Sequence, residues 1–108
     1  MGENKVLVEQ LIWGRESSID FLERHEGKTF DVLLASDVVY VHDIIEPLWE
    51  TADTLLSRDG LFYFAYCSRR RVPVKIESVF EVAESFGFVY ECINEDDDVY
   101  VYMFRRKI

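Results

Sequence analysis

Phe30-Asp31-Val32-Leu33-Leu34-Ala35-Ser36-Asp37-Val38-Val39-Tyr40 is the stretch on which the fold turns. Val32 to Ala35 form an unbroken apolar run behind Asp31. A strand wetted on one face alternates apolar with polar residues; a continuous run fits a strand buried on both faces, as in a parallel sheet. A strand is therefore expected over residues 31–36, with Ser36, Asp37 and Tyr40 just past its C-terminal end.

Downstream, Ile44, Ile45, Leu48, Trp49, Ala52, Leu55 and Leu56 recur at three- and four-residue spacing and make one helical stripe. Pro47 is tolerable there because it falls in or near the first turn. Arg58-Asp59-Gly60 is expected to close that helix, and residues 61–66 read as a second buried strand. After a polar loop over 68–72, Pro73 opens a helix whose stripe is Ile76, Val79, Phe80, Ala83 and Phe86, ended by Gly87. Residues 88–93 and 99–104 are two more strands. Only Asn94 to Asp98 lies between them, too short for a parallel crossover, so they form an antiparallel hairpin.

Upstream, the apolar residues 6–12 read as a strand ending at Trp13-Gly14. Ser17 or Ser18 is placed to cap a helix through Ile19, Phe21 and Leu22, which Gly27 stops. The order is then β-α-β-α-β-α-β-β, an α/β domain with right-handed crossovers and helices on both faces of its sheet. No boundary, repeat or linker divides it.

With 108 residues and 49% hydrophobic content the chain has enough apolar material for one core. Its net charge of −9 argues against general nucleic-acid binding, since phosphates are repelled. Cys67 and Cys92 lack metal or redox spacing and read as reduced and packed. No run reaches membrane-spanning length and no apolar signal core precedes the domain, so a soluble cytoplasmic protein is expected.

Several joints of this pattern resemble one family. Residues 30–40 are similar to a buried strand followed by the Asp-x-x-Tyr motif of the protein-lysine methyltransferase-like, seven-β-strand methyltransferases. Leu11-Ile12-Trp13-Gly14 resembles the Trp-Gly that ends their third strand. Phe86-Gly87-Phe88 resembles the Gly-Phe before their sixth, and Asp98-Val-Tyr-Val-Tyr102 their closing strand. The resemblance spans nearly the whole chain. It implies a truncated Rossmann-like methyltransferase fold: a mainly parallel sheet with a C-terminal antiparallel hairpin, the third to seventh strands of the domain. The five glycines stand apart from one another, with no Gly-x-Gly loop of the kind that admits a cofactor. The chain accordingly reads as a C-terminal half.

The resemblance further implies S-adenosylmethionine as cofactor and a lysine-bearing protein as substrate. Asp37 and Tyr40 stand beside the methyl-transfer centre; Ser36 faces the cofactor, and Trp13 stacks near its adenine. Each has a plainer role available. Asp37 serves equally as a turn cap, Tyr40 as a packed ring and Trp13 as a core residue. Non-catalytic use as an interaction module, or another methyl acceptor such as a histidine or a small molecule, stays open. His25 and His42 have no ligand spacing, so no metal is expected. Arg69-Arg70-Arg71 suits an acidic substrate patch or a solvated loop, and Glu95 to Asp98 a solvated acidic turn. The 31–36 strand lacks its neighbour from the other half. Either the 6–12 strand pairs in parallel beside that edge, or two copies meet along it with the helix stripes near Trp49 and Leu56 packing across a twofold axis; of the two, the homodimer is expected.

Overall fold

The computed structural model describes residues 6–39, 41–68 and 74–107. Its elements are α1 (Arg15–Arg24), β1 (Phe30–Ser36), a 3₁₀ turn (His42–Ile44), α2 (Ile45–Leu55), β2 (Leu56–Cys67), α3 (Ile76–Ser85), β3 (Phe88–Asp96) and β4 (Val99–Arg106). Pro73, the Arg69–Arg71 loop and Tyr40 lie outside the described residues.

The sheet order is β1-β2-β4-β3. β1 and β2 run parallel, with Leu33 opposite Phe62 and Ala35 opposite Phe64. β4 runs antiparallel to both β2 and β3. The α/β architecture is as expected, but the parallel share is smaller than the element order suggested. The hairpin folds back so that β4 enters beside β2, and residues 6–12 add no strand. Asp97 and Asp98 close the hairpin with positive φ at both positions (50° and 72°), the geometry of a two-residue turn matched to strand twist. Ile93 is an extra residue between the pairs Cys92–Tyr102 and Asn94–Val101, a β-bulge.

The core is built on α2. Trp49 is fully buried and meets Phe104 at 4.7 Å and Phe62 at 5.3 Å, both edge to face, and Phe88 at 5.2 Å. Such aromatic pairs add about 0.5–1.5 kcal/mol each beyond simple burial. Arg106 locks the end of β4 to α2: it pairs with the Asp53 carboxylate and donates to the carbonyls of Asp53 and Leu56, both at 2.8 Å. Those carbonyls lie in the last turn of α2 and at its C-cap, Leu56, where helix acceptors otherwise lack partners.

Several expectations are corrected. Residues 6–12 are not a strand. Val6 and Val8 are 92% exposed, and the segment is tied to α1 by the Glu9–His25 contact at 2.7 Å. A strand exists only where another strand accepts its hydrogen bonds, and none stands beside this segment. Neither serine caps α1. Gly14 takes the N-cap position, and Ser18 lies inside the helix, buried, its Oγ without a partner among the described residues. Arg58-Asp59-Gly60 does not close α2, which ends at Leu55; the chain turns directly into the ladder at Leu56, opposite Phe30. Gly60 is needed there for space: a Cβ would fall 2.6 Å from Leu56 Cδ1 and 2.9 Å from Ser57 Oγ. Cys92 is exposed rather than packed, and Cys67 is half-buried; both are free thiols.

The largest correction concerns the sheet faces. Phe62, Phe64, Phe88 and Phe104 share one face under α2 and α3 and are buried. Side chains alternate across a sheet, so Val32, Leu34, Tyr63, Ala65, Val101 and Met103 share the other. None of these is buried, and Leu34 is 77% exposed. Among the described residues the helices cover a single face. The helix stripe itself is not bare: Trp49 and Leu56 are 0% and 2% exposed, so neither offers a surface to a second copy.

Candidate functional site

The C-terminal end of β1 is where the chain breaks its extended course. Asp37 has φ 49°, in the left-handed region that stops a strand and that Asp and Asn tolerate better than other side chains. Its N–H donates to the Ala65 carbonyl at 3.1 Å, extending the β1–β2 ladder by one bond. Its carboxylate Oδ1 accepts the Cys67 N–H, also at 3.1 Å. Asp37 thus bridges the ends of two parallel strands, at the sheet edge where open α/β sheets bind ligands.

Around it, Asp37, Val39, Phe64, Tyr66, Val74, Ile76 and Val79 line a cavity of about 20 Å³ on the helix side, room for about one water. Ser36 points the other way. With Leu34, Ala35, Tyr63, Ala65 and Val101 it lines an open cleft of about 390 Å³ on the bare face. Ser36 and Asp37 are neighbours in sequence on opposite faces of the sheet. Trp13 lines neither cleft; it packs, half-buried, against the helix-side core, while the next N–H, that of Gly14, donates to Thr51 Oγ1 at 2.8 Å. The structure brings Ser36 and Asp37 to one strand end and leaves Trp13 with the helices. Tyr40 lies outside the described residues.

One feature of this end escaped the sequence. Because β4 runs antiparallel to β2, the start of β4 and the hairpin tip stand at the same end as Asp37: Tyr66 is opposite Tyr100, and the Ser68 N–H donates to the Asp98 carbonyl at 2.8 Å. A tyrosine group therefore flanks the site. Tyr100 and Tyr102 stack at 6.3 Å, and Phe80 stacks on Tyr90 at 4.3 Å. Burial pushes the Tyr102 phenol above its usual pKa, and Cys92, Tyr100, Tyr90 and Glu95 act in the same direction. The available signal was the Tyr-x-Tyr spacing at 100 and 102, which puts both rings on one face of a strand.

His25 bonds to Glu9 and His42 opens the 3₁₀ turn. Among the described residues no three metal-ligating side chains gather, and no helix is long and apolar enough to cross a membrane.

Comparison with known proteins places this geometry. Among solved structures the chain is similar to a TehB-like SAM-dependent methyltransferase from Corynebacterium glutamicum, at 21% identity and TM-score 0.59, covering 74% of this chain and 49% of that one. It is also similar to a fibrillarin pre-rRNA processing protein from Methanococcus jannaschii, at 17% identity and TM-score 0.54, covering 90% and 44%. A third is M1.HpyAVI, at 15% identity and TM-score 0.54, covering 92% and 55%. At such identities these likenesses establish the fold, and the chain spans about half the length of each. The search of curated proteins found no match. A family model described as lysine methyltransferase matches residues 1–83. With most of the chain under that model and a methyltransferase fold around it, the protein belongs to the lysine methyltransferase family.

Proposed function

We propose that this chain is the C-terminal half of an S-adenosylmethionine-dependent methyltransferase acting on a protein lysine, with β1 to β4 as the fourth to seventh strands of the domain. The observation that carries the reading is the reversal at Asp37, which sets a backbone-anchored carboxylate at the ligand-binding end of the sheet. When bound, S-adenosylmethionine supplies the methyl group. A lysine accepts it as the neutral amine, so the surrounding groups must orient the nitrogen rather than grip an ammonium. Asp37, held in place by the Cys67 N–H, is suited to orienting, with Tyr40 beside it in the Asp-x-x-Tyr motif. Ser36 opens onto the wider cleft and is small enough to leave room there. Trp13 borders the cofactor in this reading once the other half of the fold is in place.

These residues fit only the reacting end of the cofactor. The cavity beside Asp37 is water-sized, and no glycine loop is present to receive the rest. The chain alone is therefore inactive in this proposal, and the bare sheet face and open β1 edge are where the other half packs. That same bare face favours a second reading, a non-catalytic interaction module. For the isolated chain we propose pairing of two copies along β1, by backbone hydrogen bonds rather than by the helix stripe. The cell compartment proposed is the cytoplasm.

The test is methyl transfer to lysine peptides by the chain alone and by any longer polypeptide that contains it, with calorimetric titration of S-adenosylmethionine. No binding to the chain alone, and lysine methylation by the longer protein, is the expected pair of results. Micromolar binding to the 108 residues alone overturns the half-domain reading. Transfer to histidine or a small molecule, but not to lysine, overturns the acceptor.

A further inference from the structure

At the end of the sheet opposite Asp37, Arg58, Asp59, Gly60, Leu61, Arg105, Arg106 and Lys107 line a cleft of about 440 Å³. The two ends are separated by the length of β2 from Gly60 to Cys67, on the order of 20 Å at the usual strand rise. The cleft is cationic within a chain of net charge −9. Among the described residues three other cations are paired: Arg15 with Asp53, Arg24 with Asp20, and Lys28 with Glu26, while Lys75 stands alone on the surface. Arg106 is engaged by Asp53 and the end of α2. The side chains of Arg58, Arg105 and Lys107 make no hydrogen bond or ion pair among the described residues. Asp59 offsets one of the three, leaving a surplus of two positive charges.

The cleft is also held in shape. Arg106 clamps β4 to α2 and the Lys107 N–H donates to the Gly87 carbonyl, so the backbone carrying Arg105 and Lys107 is held in place, with Arg105 on the side of the strand opposite Arg106. Gly60 lets the 57–60 backbone lie close on Leu56, where a Cβ would collide, and this irregular stretch of β2 carries Arg58. Segments 47 residues apart are thus set around one opening, with Asp59 its one acidic lining residue.

We propose that this cleft binds a phosphoryl group, at a site separate from the methyl-transfer end. Two guanidinium forks and an ammonium match a dianion with several acceptor oxygens, which a lone carboxylate neutralises only in part. A long nucleic-acid backbone is disfavoured by the acidity of the rest of the surface. The phosphoryl group belongs to a small phosphorylated molecule or to a phosphorylated side chain.

Amide chemical-shift titration of the 108-residue chain tests this with inorganic phosphate, pyrophosphate, a phosphoserine peptide and its unphosphorylated glutamate counterpart, all at constant ionic strength. Saturable shifts confined to residues 58–61 and 105–107 are expected. Arg58→Gln and Arg105→Gln should each weaken binding about threefold, the scale of an exposed ion pair, while Lys75→Gln leaves it unchanged. Unmoved Phe88 and Phe104 amides in each variant show that the fold is intact. Tighter binding of pyrophosphate assigns the source to a small molecule, and tighter binding of the phosphopeptide assigns it to protein. Shifts that grow linearly, that chloride reproduces, that are as large at Lys75, or that the glutamate peptide matches overturn the proposal.

Discussion

The carboxylate of Asp37 accepts the backbone N–H of Cys67 at 3.1 Å, joining the last residue of β2 to the first residue past β1. A residue expected to act in chemistry thus also holds two strand ends together, and any test of its chemistry has to separate the roles.

Asp37→Ala removes that acceptor and places alanine at φ 49°. The lost hydrogen bond costs about 0.5–1.5 kcal/mol and the left-handed backbone about 1 kcal/mol more, so a loss of about 2 kcal/mol by urea denaturation is expected. Asp37→Asn keeps a side-chain oxygen and tolerates the conformation, so it should stay within about 0.5 kcal/mol of wild type. In a protein containing the complete domain, the Asn variant should lose most methyl transfer at near wild-type stability. Full activity in the Asn variant reduces Asp37 to a turn residue.

Trp49 contacts Phe62, Phe88 and Phe104 and is completely buried. Trp49→Ala should cost about 3–5 kcal/mol, which leaves a small domain largely unfolded. Trp49→Phe should be milder, since Nε1 has no partner to lose. Thermal melts followed by far-UV circular dichroism separate the two; equal melting temperatures for both variants would show that the indole is not the centre of the core.

Tyr102 has its phenol pKa raised above 10.0, burial being the largest cause. The folded state then holds the phenolic proton more tightly than the unfolded chain does. Its contribution to stability is complete below pH 10 and is lost as pH climbs through the folded-state value. Tyr102→Phe has no proton to lose at this position. Its stability should decline less steeply above pH 10 than that of wild type, in denaturant midpoints taken from pH 8 to 11.5; parallel declines would place the alkaline loss elsewhere.

Strand β1 has no partner on its outer side among the described residues, and its own Leu34 is 77% exposed. Two chains pairing antiparallel along β1 share a twofold axis perpendicular to the sheet. Both bare faces then lie on the same side, still uncovered. The dimer should therefore form at micromolar concentration yet continue to bind a hydrophobic dye. Leu34→Lys should reduce dye binding without abolishing dimers. Sedimentation velocity showing only monomer refutes pairing along β1.

The elements that were legible beforehand are those written in local periodicity. The apolar run at 32–35, the stripe from Ile45 to Leu55 and the short link between β3 and β4 each depend on neighbours a few residues away, and each appears in the structure close to where it was read. The position of Asp37 past the end of β1 followed from the same local pattern. Other features were settled only by tertiary contacts. The segment 6–12 has the composition of a strand but no strand to pair with. Ser18 has the side chain of a cap but sits inside α1. Periodicity identified the apolar stripes without revealing that the helices would crowd one face of the sheet and leave Leu34 and Tyr63 uncovered. The insertion of β4 beside β2 did the most: it carried the hairpin tip to Asp37 and brought Arg105 and Lys107 to Arg58. Hydrogen-bond partners and sheet faces are properties of pairs of segments distant in the chain, so no local window of sequence contains them.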